Sequence, residues 1–261
     1  MPPIAEHPTP TPDDGTRVIA LIDLTDLNDA HAPDGLPDLV QRAAEHGVPA
    51  VCVWPEFVAD VASMLDDAGD SGGCLIATVV NFPSGDAAID DVVAETTAAL
   101  AAGADEIDVV LPYRAVLAGD HDTAATMIER VAEVVHGATG RSGRPAELKV
   151  ILETGELVTD DAVERAARLA VDAGADFIKT STGKTDVSAT PGAVERMVDV
   201  IATADRTVGL KPSGGIRTVA EALQYLAIVD RRLGQGWATP ATFRFGASSL
   251  LDDALAVSSS G

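Results

Sequence analysis

Aromatic side chains are scarce: two Trp, two Tyr and five Phe make up 3% of 261 residues. Lysine is scarce too. Lys149, Lys179, Lys184 and Lys211 are the only four among 18 basic residues, which face 28 Asp and 13 Glu. The net charge of −23 leaves no positive surface for a nucleic-acid backbone or an anionic bilayer, so both partners are excluded. No apolar run reaches the ~18 residues of a membrane-spanning helix. The two cysteines, Cys52 and Cys74, make no disulfide framework, and a reducing cytoplasmic setting is the simplest reading. Met1 to Gly15 lacks a basic segment followed by an apolar one. Residues 1–16 therefore read as a flexible Pro- and acid-rich arm, not a secretion signal. The acid excess fits either a GC-rich codon bias or adaptation to high salt, where screening removes self-repulsion.

What the chain does have is a repeat. From residue 17 onward a short β-branched run precedes a polar turn, an Ala-rich amphipathic stretch and a glycine stop. The runs are Val18–Asp23, Ala50–Trp54, Leu75–Asn81, Glu106–Leu111, Leu148–Glu153, Asp176–Thr180, Thr207–Lys211 and Phe243–Ala247. Most are continuously apolar, as parallel strands buried on both faces require. Between them lie helices. Thr159–Ala173 carries a stripe of Ala162, Ala166, Leu169, Ala170 and Ala173, with Thr159 as N-cap and Gly174 as stop. Eight such units over residues 17–261 predict a single-domain (β/α)8 TIM barrel. The rival, an open doubly wound sheet, would carry a glycine-rich turn after its first strand. Here that strand runs into Asp23-Leu-Thr-Asp-Leu-Asn28, without glycine.

Barrel active sites lie at the C-terminal strand ends. Two lysines stand in predicted strands, in Phe177-Ile-Lys-Thr-Ser-Thr-Gly-Lys184 and Gly209-Leu-Lys-Pro-Ser-Gly-Gly215. A buried amine beside another ammonium is biased toward its neutral, nucleophilic form, which attacks carbonyls to give a Schiff base. The plainer reading pairs each lysine with a core carboxylate such as Asp108 or Glu153. Asp108 interrupts the apolar run Glu106-Ile-Asp-Val-Val110 and shares a face with Glu106 by period-2 alternation. It is an acid/base candidate or a lysine counter-ion, and the roles are compatible. Asp23 reads as a group that orients Lys211 or Lys179. Pro212-Ser-Gly-Gly-Ile-Arg217 and Gly246-Ala-Ser-Ser249 follow strands seven and eight, the usual barrel phosphate site, where glycine exposes backbone N–H groups to an anion. The five histidines are isolated, so no metal site is expected, and no cofactor motif is present.

These residues resemble the 2-deoxy-D-ribose-5-phosphate aldolase family. The resemblance rests on Asp23-Leu-Thr, Ala50-Val-Cys-Val-Trp-Pro55, Val80-Asn-Phe-Pro-Ser-Gly85, Gly103-Ala-Asp-Glu-Ile-Asp-Val-Val110 and Leu148-Lys-Val-Ile-Leu-Glu-Thr-Gly155. It rests also on the two lysine-bearing motifs and on Phe243-Arg-Phe-Gly-Ala-Ser-Ser249. It implies a metal-free, cofactor-free Schiff-base aldolase. Such an enzyme cleaves 2-deoxyribose 5-phosphate reversibly to glyceraldehyde 3-phosphate and acetaldehyde, in deoxynucleoside breakdown. The alternative is another Schiff-base aldolase or transaldolase on a different sugar phosphate. By the resemblance, Lys179 is the Schiff-base lysine, Lys211 the second lysine that lowers its pKa, and Asp108 the proton shuttle. Asp23, Thr25, Cys52 and Thr182 face the substrate. Gly183, Lys184, Gly214, Gly215, Arg217, Gly246, Ser248 and Ser249 surround the phosphate. Some family members use a tail-borne terminal Tyr in proton transfer, whereas the tyrosines here are Tyr113 and Tyr225. Assembly stays open between a monomer and a homo-oligomer, dimer or tetramer.

Overall fold

The computed structural model describes residues 9–70 and 72–260. Eight parallel strands alternate with helices: β1 (Ile22–Asp26), β2 (Ala50–Val53), β3 (Leu75–Val80), β4 (Glu106–Val110), β5 (Glu147–Ile151), β6 (Phe177–Lys179), β7 (Gly209–Lys211) and β8 (Phe245–Ala247). Neighbours pair in the order β7-β6-β5-β4-β3-β2-β1-β8. The parallel bridges Leu210↔Phe243 and Ser213↔Gly246 bring β8 back to β7. This is the (β/α)8 barrel that the repeat predicts. Among the described residues no helix is long and apolar enough to cross a membrane.

Period-2 alternation divides the strands into two faces. Leu24, Val51, Val53, Ile76, Val80, Ile107, Val109, Leu148, Val150, Ile178 and Leu210 belong to one large apolar cluster with the surrounding helices. The alternate positions fill the barrel interior, and their chemistry is uneven. Cys52, Ala77 and Val79 join Leu27 and Trp54 in a separate apolar cluster around β2 and β3. Around the remaining strands the buried alternates include six charged groups, Asp23, Glu106, Asp108, Lys149, Lys179 and Lys211, beside Val110, Ile151 and Phe177.

The barrel helices follow their caps. The helix Asp160–Asp172 starts at Thr159, whose side chain accepts from Ala162 N, as the stripe and the acidic first turn predict. The N-terminal region corrects the expectation. Residues 12–16 are not a loose arm, because Pro12–Ile19 is a helix closed by a Thr11/Asp14 capping box with Pro at its first turn. Val18 and Ile19 belong to that helix, so the first strand begins at Ile22 rather than Val18. Packing overrides β-branched propensity there: Gly15 lies so close to the helix Leu250–Ser258 that a Cβ would stand 2.7 Å from Ala254 O. The rest of the predicted arm, residues 1–8, lies outside the described residues.

Candidate active site

Parallel register brings the charged alternates together. Asp108 pairs across the ladder with Lys149, and Lys179 with Lys211. Asp108 accepts three ammonium groups: Lys149 Nζ at 3.0 Å on Oδ1, and Lys179 Nζ at 2.7 Å and Lys211 Nζ at 2.8 Å, both on Oδ2. Lys149 also donates to Glu106 at 2.5 Å. Lys211 forms an ion pair with Asp23 Oδ2 at 2.5 Å. Arg244, just before β8, spans the barrel and donates to Asp23 Oδ1 at 2.6 Å and to Glu106 Oε1 at 3.1 Å. These contacts close a ring of alternating sign: Asp23, Lys211, Asp108, Lys149, Glu106, Arg244 and back to Asp23. Lys179 is a seventh group, attached to the ring only through Asp108.

Burial on this scale favours neutral forms, and the opposite charges outweigh it. Burial would raise the Asp108 carboxyl, but Lys149, Lys179 and Lys211 hold it well below the ordinary range. Burial likewise works against the Asp23 carboxylate, yet Lys211, Arg244 and Lys149 bring it down to about 2. The ammoniums of Lys149 and Lys211 lose hydration, but their paired carboxylates push both pKa values up. Lys211 is therefore a fixed positive charge beside Lys179. Cys52 is a neutral thiol, pushed up chiefly by burial.

The mouth above the ring is knitted by hydroxyls. Thr180 Oγ1 donates to Ser213 O at 3.1 Å and accepts Ser213 N at 2.9 Å, while Ser213 Oγ donates to Gly246 O at 3.3 Å. These bonds tie the ends of β6, β7 and β8. Glycine is needed at 246: a Cβ there would lie 2.4 Å from Ser213 Oγ and 3.2 Å from Lys211 Cε. Gly214 has φ +87° and lies against Gly183, so two of the predicted phosphate loops meet. The amides of Gly214, Gly215, Ser248 and Ser249 find no acceptor among the described residues, and Ser249 heads the helix Leu250–Ser258. Such a cluster of free N–H groups suits an anion.

Residues 17–255 match the DeoC/LacD family aldolase. The chain belongs to the DeoC/LacD family of aldolases. A deoxyribose-phosphate aldolase from Agrobacterium fabrum is 46% identical over 245 residues, 93% of this chain and 91% of its own. A crystal structure from Toxoplasma gondii ME49, of a candidate deoxyribose-phosphate aldolase, aligns with TM-score 0.85 at 25% identity over 95% of each chain. The fold recurs in the deoxyribose phosphate aldolase of Aeropyrum pernix, at TM-score 0.75 and 23% identity over 98% of this chain and 99% of that one.

Of the residues singled out in this aldolase's sequence, Asp23, Asp108, Lys179 and Lys211 meet in the buried cluster, and Gly183 lies against Gly214 above it. Thr25 and Cys52 are register partners on β1 and β2, with Thr25 Oγ1 donating to Asp23 O at 2.9 Å. Thr182 is held by Glu153, which accepts both its hydroxyl and its amide. Glu153 itself is pushed up by burial and sits at φ +56°. Arg217 is exposed, and its guanidinium pairs with no carboxylate among the described residues. Lys184 is placed differently: its ammonium donates to Leu27 O at 2.7 Å and pairs with Asp29, over the Trp54 ring. Asn81, after β3, braces the neighbouring strand, with Nδ2 donating to Val110 O at 2.8 Å. Three ring members escaped the sequence reading: Lys149, Glu106 as more than a neighbour of Asp108, and Arg244. Lys149 was legible as a charge inside Leu148-Lys-Val-Ile-Leu, by the same logic that marks Lys179. Arg244 carried only the weaker signal of a cation between two phenylalanines.

Proposed function

We propose that this aldolase cleaves 2-deoxy-D-ribose 5-phosphate reversibly to D-glyceraldehyde 3-phosphate and acetaldehyde through a Schiff base on Lys179. The substrate follows the 46% identical relative. The observation that carries Lys179 is its place at the cluster's edge. It has one carboxylate partner where Lys149 and Lys211 each have two. It also keeps 2% exposure where they have none.

The chemistry then runs on this chain's own groups. The Lys179 amine, stripped of its proton, adds to the C1 aldehyde, and loss of water gives an iminium. Removal of the C3 hydroxyl proton breaks the C2–C3 bond. The electron pair flows into the iminium and leaves an enamine, and glyceraldehyde 3-phosphate departs. Protonation at C2 and hydrolysis release acetaldehyde and free Lys179. Asp108 is the proton shuttle, acting through water: its Oδ2 stands 2.7 Å from the Lys179 nitrogen on which the iminium forms. Lys211 stays charged and opposes re-protonation of Lys179. Gly183, Gly214, Gly215, Gly246, Ser248 and Ser249, with Arg217 and Lys184, receive the phosphate, for which Lys184 must leave Asp29. Asp23 orients Lys211, and Thr25, Cys52 and Thr182 border the sugar.

The setting is cytoplasmic, on a free sugar phosphate without nucleic acid or membrane, in keeping with the −23 charge. Assembly as a homo-oligomer, dimer or tetramer, is supported by Leu117, Val158 and Val187, exposed by 51%, 85% and 49% on the segments after β4, β5 and β6; light scattering measures it. A coupled assay for glyceraldehyde 3-phosphate released from deoxyribose 5-phosphate tests the reaction. No release, with release from another sugar phosphate, would replace the substrate.

A further inference from the structure

The buried ring holds three carboxylates (Asp23, Glu106 and Asp108) and three cations (Lys149, Lys211 and Arg244), so it is neutral by itself. Lys179 adds a fourth cation in a region where every ring member is at most 3% exposed. An unbalanced buried charge is the costliest element of such a cluster, and the cheapest relief is loss of one proton. Lys149 and Lys211 are each clamped between two carboxylates, and arginine does not deprotonate. Lys179, held by Asp108 alone, is the least clamped cation of the four.

We infer that Arg244, Lys149 and Glu106 are positioning residues that set the protonation of Lys179 through the net charge of this closed ring. Lys211 alone does not set it. Arg244 and Glu106 line a cavity of about 970 Å³ at the N-terminal end of the barrel, opposite the phosphate loops, so they act without touching substrate. The titratable groups packed around the cluster are Asp23 on β1, Cys52 on β2, Glu106 and Asp108 on β4, and Glu147 and Lys149 on β5. Glu153 stands at the end of β5, Lys211 on β7 and Arg244 before β8. Glu147, the register partner of Glu106, has its carboxyl pushed up by burial and by the Glu106 charge, and it stands outside the closed ring. The inference rests on Lys179 being the nucleophile.

Cation and anion deletions in the ring should shift Lys179 in opposite directions. Removing a ring cation, by Arg244→Met or Lys149→Met, leaves the ring negative, and Lys179 becomes its counter-ion. Removing a ring anion, by Glu106→Gln, leaves the ring positive. The full-length enzyme is titrated with acetaldehyde and borohydride across pH, and the adduct is located by peptide mass mapping. Arg244→Met and Lys149→Met are expected to move the half-maximal trapping pH up, and Glu106→Gln down, each by at least about 0.5 unit. That is roughly a threefold change in neutral amine at a fixed pH below the midpoint. Lys149→Met is expected to shift it more than Arg244→Met, since Lys149 shares Asp108 with Lys179. The double variant Lys149→Met/Glu106→Gln restores neutrality and returns the midpoint to wild type, and it keeps the test decisive if a single cation deletion does not fold. Guanidinium ion, entering the basal cavity of Arg244→Ala, is expected to move the midpoint back down. Shifts of the same sign for cation and anion removal, or a folded double variant that does not return, would overturn the inference while an adduct on Lys179 still stands. An adduct on another lysine would overturn the nucleophile, and the inference with it.

Discussion

Lys211→Leu tests the cluster in both stability and chemistry. Lys211 has no exposure and is shared between Asp23 at 2.5 Å and Asp108 at 2.8 Å. Leucine removes the charge but little volume, so the loss is electrostatic. Asp23 keeps Arg244 at 2.6 Å, and Asp108 keeps Lys149 at 3.0 Å and Lys179 at 2.7 Å. Both carboxylates stay buried and are left short of positive charge. Breaking a buried ion pair from one side costs about 3–5 kcal/mol, or roughly 10 °C in melting temperature for a chain of this length. The sign of the pH dependence follows from the raised Lys211 pKa. Its contribution is complete below the unfolded value near ~10.4 and is lost only as pH rises through the folded value. Lys211 itself therefore adds no pH dependence to the deficit between about pH 6 and 9, where it is protonated in both the folded and the unfolded wild type. On the acid side, Asp23 loses its largest favourable charge, so the variant should unfold at a higher pH than wild type. In chemistry, the half-maximal pH for borohydride trapping should rise. Calorimetry with a trapping series measures both. A melting temperature within about 2 °C of wild type, with trapping unmoved, would mean that Lys211 does not sit between these carboxylates.

Three further outcomes follow from the same structure. Asp23, held at about 2 against an ordinary 3.8, contributes about 2 kcal/mol above the unfolded value. That contribution is lost as pH falls from the unfolded value through about 2, so the stability of Asp23→Asn should fall less steeply with acid than that of wild type, and an unchanged slope would contradict the pairing. Ser249→Asp, or Ser248→Glu, places like charge beside the phosphate amides and should weaken deoxyribose 5-phosphate about tenfold more than unphosphorylated deoxyribose; equal losses would mean the phosphate binds elsewhere. If the acid excess is salt adaptation, melting temperature should climb through molar salt, because surface repulsion is screened while the buried ring is not; a flat profile leaves codon bias.

Much of this was legible in one chain. The eight apolar runs placed eight strands, since parallel strands covered by helices need apolar residues on the outer face. Lys179, Lys211 and Asp108 stood out because each breaks such a run. The first run misled, because Val18 and Ile19 close a helix whose packing on the C-terminal helix outweighs their strand preference. The ring was not legible as a ring. Its closing contacts join Arg244 to Asp23 on the neighbouring strand and to Glu106 across the barrel, 221 and 138 residues away, and depend on how the barrel closes and how its strands are staggered. Periodicity reports which face a residue takes, not which strand stands across from it. The bond from Lys184 to Asp29, 155 residues away, was hidden for the same reason.

The central claim is that Lys179 is the amine that bonds to the substrate. Reduction with borohydride in the presence of acetaldehyde, followed by peptide mapping, tests it most directly. The account predicts a single adduct on Lys179, none on Lys149, Lys184 or Lys211, and the loss of both adduct and turnover in Lys179→Leu. An adduct on Lys211 or Lys149, or turnover that survives Lys179→Leu, would contradict it.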